Sequence, residues 1–493
     1  IPLTPNGKVN RKALPAPDGG AYSQHEYVAP RNELEKALCA IWGGVLQVKD
    51  IGIHDNFFSL GGHSLLAVRL INLIQEYIEH IIQVVAIFNH PTVAEFGHYL
   101  KENVEASLHK KGLISEAEYS FSRAKKAKLV LDLADAEKIR KIIPKLDRKF
   151  SLNKTKNSPI VFVLSPPRSG STLFRVMLGG HPDLFAPPEL ELLSFNTLQE
   201  RYKAFSGQNK YWLEGTVRLL MELHGCGAER AAEMMLEYES QGLSSQNFYK
   251  LIQEQLGAVK LVDKTPSYAL DIETLRRAEE MFDEVSYIHL LRHPCATISS
   301  FEEAQLDQVF FRHSHEFSQR QLAELVWLVS HQNILEFLKE VPAERQLRVA
   351  FEELVNAPET VMKDVCDFLA IGYEVAVVRP YDDVNEKMTD GVLPESRMLG
   401  DIKFFNYASV DASAADSWKG KFQEDFLSNQ TWSLAEKLGY FKIAQIEKAT
   451  GKTLAIRVPF EKNASIQKLG DLLDEQSAGE KLVYENIIKL KEG

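Results

Sequence analysis

Two stretches of this sequence place polar side chains where chemistry on a phosphate or sulfate group is expected. In DNFFSLGGHSLL, two glycines permit a tight exposed turn and Ser64 follows at the start of an apolar helical run. A helix start has free N–H groups and the positive end of the helix dipole, which suit a phosphate ester, although a lone serine there is ordinarily an N-cap. In PIVFVLSPPRSGSTLFRVML, a strand-like run, a glycine-bearing turn and a helical run bring Arg168, Ser169, Gly170, Ser171 and Thr172 to a second helix start. Aligned on a Walker A loop, Gly170 and Thr172 fit, but Ser165 stands at the first glycine and Ser171 at the lysine. The cation that would bridge a nucleoside triphosphate is missing, which disfavours ATP-driven phosphoryl transfer and leaves Arg168 as the nearby fork of donors.

The elements that must position these residues follow from patterning. At 493 residues, 45% hydrophobic and 25% charged, the chain is expected to be a soluble globular protein of two or three domains. Residues 1–27 are rich in turn formers and read as a linker or tail. From Asn32, helical spacing in ELEKALCAIWGGVL, LLAVRLINLIQEYI and IIQVVAIFNHPTVAEFGHYL predicts a four-helix bundle over 28–102. Residues 103–157 read as a linker with a helical segment at DAEKIRKIIPKL. Over 158–445, short apolar runs at PIVFVLS, AVKLVD, VSYIHLL and QLRVA alternate with helical sequence, the pattern of an α/β domain with a central parallel sheet. Residues 446–493 read as a polar helical extension of unknown role.

A net charge of −11 disfavours nucleic-acid partners, and the sequence has no apolar run of about twenty residues that would cross a membrane. Cys39, Cys226, Cys295 and Cys366 are scattered singly, so neither a zinc site nor a disulfide framework is expected, and a reducing cytoplasm is the expected location. The opening IPLTPNGKVN lacks an initiator Met and a secretion signal, and is expected to be a cut inside a longer chain.

The string D-x-F-F-x-L-G-G-H-S-L resembles the attachment motif of peptidyl carrier proteins. The resemblance implies that Ser64 Oγ carries 4′-phosphopantetheine, installed by a phosphopantetheinyl transferase. Upstream, LTPNGKVNRKALP resembles the closing motif of adenylation domains, whose lysine falls on Lys8. Nonribosomal peptide or hybrid polyketide assembly lines are the setting this implies, with adenylation and condensation domains upstream and a release domain as a further downstream partner.

PPRSGST resembles the 5′-phosphosulfate loop of sulfotransferases that use 3′-phosphoadenosine 5′-phosphosulfate (PAPS), giving the second domain a P-loop-like α/β fold. SYIHLLRHPCATISSF matches that family's 3′-phosphate motif at Arg292 and at Ser300, eight residues on. The resemblance further places a catalytic glutamate at Glu189 and a charge-neutralising lysine at Lys264, in LVDKTP. His313 or His315, in FRHSHEF, is a rival base because imidazole titrates near neutral pH. Trp418 and Lys419 resemble a late nucleotide-contacting segment loosely. The order of domains implies O-sulfation of a hydroxyl on the pantetheine-tethered acyl or peptidyl group, the ester serving as a leaving group or remaining on the product. Sulfation of an untethered small molecule and a catalytically inert docking module stay open, and no metal is expected.

Overall fold

Asn32 starts the first helix for a local reason: its side chain accepts the N–H of Glu35, a donor that the helix itself leaves free. The computed structural model describes residues 27–441 apart from 81, 83, 120–130, 307–314, 316, 383–386, 390–391, 393–403, 405–406 and 420–425. Lys8, His313 and the extension expected at 446–493 lie outside the described residues. The chain divides into two units, residues 1–129 and 130–493.

The first unit contains α1 (Glu33–Leu46), α2 (Ser64–Ile78), α3 (Val85–Asn89), α4 (Val93–Asn103) and α5 (Glu105–Lys110). Thr92 and Glu95 close a reciprocal capping box at the start of α4. Leu38 and Trp42 of α1, Leu70 and Ile74 of α2, and Phe96 and Leu100 of α4 form one buried core. Phe57, in the loop that leads to Ser64, meets Trp42 edge-on at 5.4 Å. Val104, Leu108, Leu113 and Ile114 are buried in the same core, so the bundle continues past residue 102. Helical apolar spacing simply carries on through α5, and packing rather than composition sets the boundary.

In the second unit, α6 (Leu133–Ile142) is capped by Asp132 and Asp135, and its Ala136 and Ile139 share a core with Trp327 and Leu328. The segment read from sequence as a linker therefore divides between the two units. A five-stranded, wholly parallel sheet follows, in the order β2-β3-β1-β4-β5. Its strands are β1 (Val161–Leu164), β2 (Leu184–Phe185), β3 (Lys260–Asp263), β4 (Ser286–Leu291) and β5 (Gln346–Ala350). Four of them are the apolar runs read from sequence; β2, two residues long, carries no periodic signal.

Alternation on β1 sends Phe162 and Leu164 into one core and Val161 and Val163 into another, so both faces of the sheet are covered. The helices that follow β1 are α7 (Ser171–Leu178), α8 (Leu198–Ala204), α9 (Glu214–His224), α10 (Ala228–Ser240), α11 (Ser245–Leu256), α12 (Ile272–Met281), α13 (Pro294–Glu303), α14 (Gln319–Leu338), α15 (Phe351–Asn356), α16 (Pro358–Phe368) and α17 (Asn429–Lys437). Among the described residues no helix is long and apolar enough to cross a membrane. Residues 165–170 follow β1, Glu189 lies four residues past β2, and Lys264, Arg292 and Phe351 directly follow β3, β4 and β5. All of them sit at the carboxyl edge of the sheet, where open α/β folds bind ligands.

Candidate functional site

The loop between β1 and α7 is held in a conformation that ordinary residues resist. Arg168 has φ +66° and Gly170 φ +82°, and Gly170 N-caps α7. A Cβ on Gly170 would lie 2.1 Å from Cδ2 of Phe351, so the position excludes any side chain on two counts. Among the described residues, the loop's hydroxyls Ser165 Oγ and Ser169 Oγ are buried and have no hydrogen-bond partner. Buried hydroxyls are nearly always bonded, and these two, beside a helix N-terminus, fit an oxyanion ligand.

Arg168 joins this loop to the turn after β4. Its Nε donates to Ser300 Oγ at 3.0 Å, and Arg292 Nη1 donates to the Arg168 carbonyl at 2.9 Å. The guanidinium of Arg292 lies over the Phe351 ring, 4.3 Å from its centroid. Phe351 thus packs against Gly170 with one part of its ring and carries Arg292 on its face, which ties the β1–α7 loop to the turn after β4. The β4–α13 turn is itself fixed. Pro294 occupies the first helical turn, His293 Nδ1 accepts the N–H of Cys295, and Glu352 accepts the N–H of His293 at 2.8 Å.

Lys264 and Glu189 meet directly, Nζ to Oε1 at 2.6 Å. The lysine side chain is 2% exposed and the glutamate 19%, so the pair opens to solvent from the carboxylate side. Burial lowers the Lys264 pKa and the facing carboxylate opposes that shift. Arg175 is a second buried cation near Glu189; burial lowers its pKa to about 10, against the pull of that carboxylate. Its guanidinium is spent on the carbonyls of Ala186, Lys387 and Met388, which marks it as structural.

The other candidates fall as follows. Ser64 is the first residue of α2, and the N-cap position belongs to His63, which makes no side-chain capping bond. Ser64 is therefore not the N-cap that a lone serine would suggest. His315 is half-buried and stacks on Phe317 with centroids 6.1 Å apart, and burial lowers its pKa. Trp418 is buried and stacks on His293 at 4.1 Å, while Lys419 pairs with Asp416. Burial, with Lys419 and Arg292 nearby, brings the His293 pKa down to about 3. Among the described residues no cluster of His, Cys, Asp or Glu could hold a metal. Phe351 was not singled out from sequence; an aromatic directly after a strand at the carboxyl edge was the available signal.

Comparison with known proteins supports both halves of the chain. Residues 159–374 match the sulfotransferase family, and residues 36–100 match the phosphopantetheine attachment site. The sulfotransferase domain from the curacin biosynthetic pathway is similar at 37% identity and TM-score 0.54, over 58% of this chain and 99% of that one. The sulfotransferase domain from the Synechococcus PCC 7002 olefin synthase is similar at 35% identity and TM-score 0.53, over 59% of this chain and 99% of that one. Bacitracin synthase 3 of Bacillus licheniformis is 39% identical over 165 residues, 32% of this chain and 2% of that protein. Tyrocidine synthase 2 of Brevibacillus parabrevis is 43% identical over 136 residues, 27% of this chain and 4% of that protein. The chain thus spans only a few per cent of the length of these synthetase relatives.

Proposed function

The chain belongs to the sulfotransferase family, with a phosphopantetheine-attachment domain in the same polypeptide, and on that premise we propose that it sulfates a tethered substrate. The donor is PAPS, and the acceptor is a hydroxyl on an acyl or peptidyl group carried by phosphopantetheine on Ser64. The observation that carries this reading is the 2.6 Å contact of Lys264 with Glu189, together with a neighbouring loop whose buried hydroxyls have no partner among the described residues.

Sulfuryl transfer requires in-line positioning and a field that stabilises charge spread over non-bridging oxygens. Arg168, Ser169, Gly170, Ser171 and Thr172 would bind the 5′-phosphosulfate, and Arg292 with Ser300 the 3′-phosphate. Lys264 would neutralise charge gathering on the bridging oxygen. Glu189 would accept the acceptor's proton on the oxygen that faces away from Lys264, the hydroxyl oxygen would bond to sulfur, and 3′-phosphoadenosine 5′-phosphate (PAP) would leave. The phosphopantetheinyl transferase and neighbouring adenylation, condensation and release domains are the partners this order of domains implies.

Intact-mass analysis tests the reading. After treatment with a phosphopantetheinyl transferase and a hydroxyacyl coenzyme A, wild type is expected to load and Ser64→Ala to stay unloaded. Addition of PAPS is then expected to add one sulfuryl group to the acylated arm, and Lys264→Ala to abolish that gain. A loaded chain that takes no sulfuryl group from PAPS with any hydroxyacyl group would leave the carrier assignment standing and overturn the tethered acceptor.

A further inference from the structure

Glu189 begins a segment whose backbone is gripped from outside at several of its polar groups. The N–H of Leu190 is accepted by Thr265 Oγ1 at 3.1 Å, and the Leu190 carbonyl accepts Arg201 Nε at 2.9 Å. The N–H groups of Leu192 and Leu193 both go to the hydroxyl of Tyr268, at 2.8 and 3.3 Å. Glu191, at φ +52°, is pinned through its side chain by Ser267 Oγ at 2.6 Å. On the other side, Gly215 lies so close that a Cβ there would sit 1.9 Å from the Glu189 carbonyl oxygen.

The accepting hydroxyls are aimed by one buried carboxylate. Thr265 Oγ1 donates to Asp263 Oδ1 at 2.7 Å and Tyr268 donates to Asp263 Oδ2 at 3.1 Å; Tyr249 adds a third donor to Oδ2 at 2.5 Å. A hydroxyl has one hydrogen and two lone pairs. With its hydrogen directed to Asp263, the Tyr268 hydroxyl has two lone pairs left for the two N–H groups, and the Tyr249 hydroxyl lies 3.4 Å away as a further neighbour. Asp263, Thr265 and Tyr268 are all buried, and a misdirected hydroxyl there would leave amide hydrogens of the Glu189 segment unbonded, at a cost of about 1–3 kcal/mol each.

We propose that Tyr268, with Thr265, is a positioning residue for Glu189: the two hydroxyls, aimed by Asp263, lock the segment from Leu190 to Leu193 and so fix where the Glu189 carboxylate stands against Lys264. The proposal rests on Glu189 acting as the base. Its consequence is that part of the reaction rate depends on a hydroxyl that touches neither donor nor acceptor.

The test is a double-mutant cycle in the full, loaded chain, read by single-turnover sulfation and by calorimetric titration with PAP. Tyr268→Phe retains the ring and removes the hydroxyl; a displacement of the base by around 1 Å is expected to lower turnover on the order of 10²-fold. PAP affinity should stay within about twofold of wild type, because the 5′-loop and Arg292 follow β1 and β4, whereas this segment is held by residues that follow β3. In a Glu189→Gln background the same substitution should cost less than about twofold, since no base remains to be misplaced. Should Tyr268→Phe fail to fold, Thr265→Val carries the same test, with Thr265→Ser restoring the hydroxyl and the rate. Full turnover in Tyr268→Phe beside a slow Glu189→Gln, an additive loss in the double variant, or a parallel fall in PAP affinity each overturns the proposal. Full turnover in Glu189→Gln overturns the reading of the base itself, and the positioning role with it.

Discussion

Replacing Gly170 by Ala probes how the donor loop is built, and the structure sets the size of the effect. At φ +82° an L-residue is in left-handed backbone, which costs roughly 1–2 kcal/mol. The added methyl would also enter the Phe351 ring, with Cδ2 at 2.1 Å and Cε2 at 2.4 Å, so the ring must move. Overpacking of this kind costs about 1–3 kcal/mol, which brings the expected loss of stability of the second unit to about 2–5 kcal/mol. Because Arg292 rests on that ring, its displacement removes a cation–π contact of about 0.5–2 kcal/mol and weakens PAP binding between about 2- and 30-fold. Urea unfolding followed by aromatic fluorescence reads the first quantity and calorimetric titration with PAP the second. Wild-type stability together with wild-type affinity in Gly170→Ala would refute the coupling of Gly170, Phe351 and Arg292.

Two further substitutions separate the parts of the site. Arg292→Ala is expected to weaken PAP about 10- to 100-fold, the worth of a charge-assisted hydrogen bond, and adenosine 5′-phosphate clearly less, through the lost bond to the Arg168 carbonyl; equal losses for both ligands would remove Arg292 from the 3′-phosphate site. Burial pushes the Asp263 carboxyl up to about 6, against donors from Tyr249, Thr265 and Tyr268 and the charge of Lys264. Raised above its unfolded value of about 3.9, this group stabilises the fold fully below that pH, and the contribution is lost as pH rises through about 6. Tyr249→Phe removes one donor that favours the ionised form, so the pKa rises further; differential scanning calorimetry across pH 4–8 should place the loss of stability at higher pH than in wild type. An unshifted or downshifted profile would contradict the assigned hydrogen bond.

Much of the architecture was legible because periodicity and turn chemistry are local. The runs around Val161, Leu261, Ile288 and Val349 became parallel strands with helices between them, and the first helix begins where helical spacing sets in after Asn32. The proximity of Glu189 and Lys264 was implied only by a family resemblance, since 75 residues separate them in sequence. What sequence withheld is what depends on distant packing. No local signal tells that the hydroxyl of Tyr268 will accept the N–H of Leu192, or that the Phe351 ring will lie between Gly170 and Arg292. That Leu108 and Leu113 join the bundle's core was not legible for the same reason, because they are ordinary apolar residues until that core is known.

Tethering is the feature that separates this account from a free-standing sulfotransferase. The decisive measurement compares the rate of sulfation of one hydroxyacyl group in two settings: loaded on Ser64, and offered as the free pantetheine thioester to the Ser64→Ala chain. A short tether raises the effective concentration into about the millimolar range, so the free thioester at micromolar concentration is predicted to react about 10²- to 10³-fold more slowly than the loaded group. Equal rates in the two settings would contradict delivery by the carrier and assign the activity to an untethered acceptor.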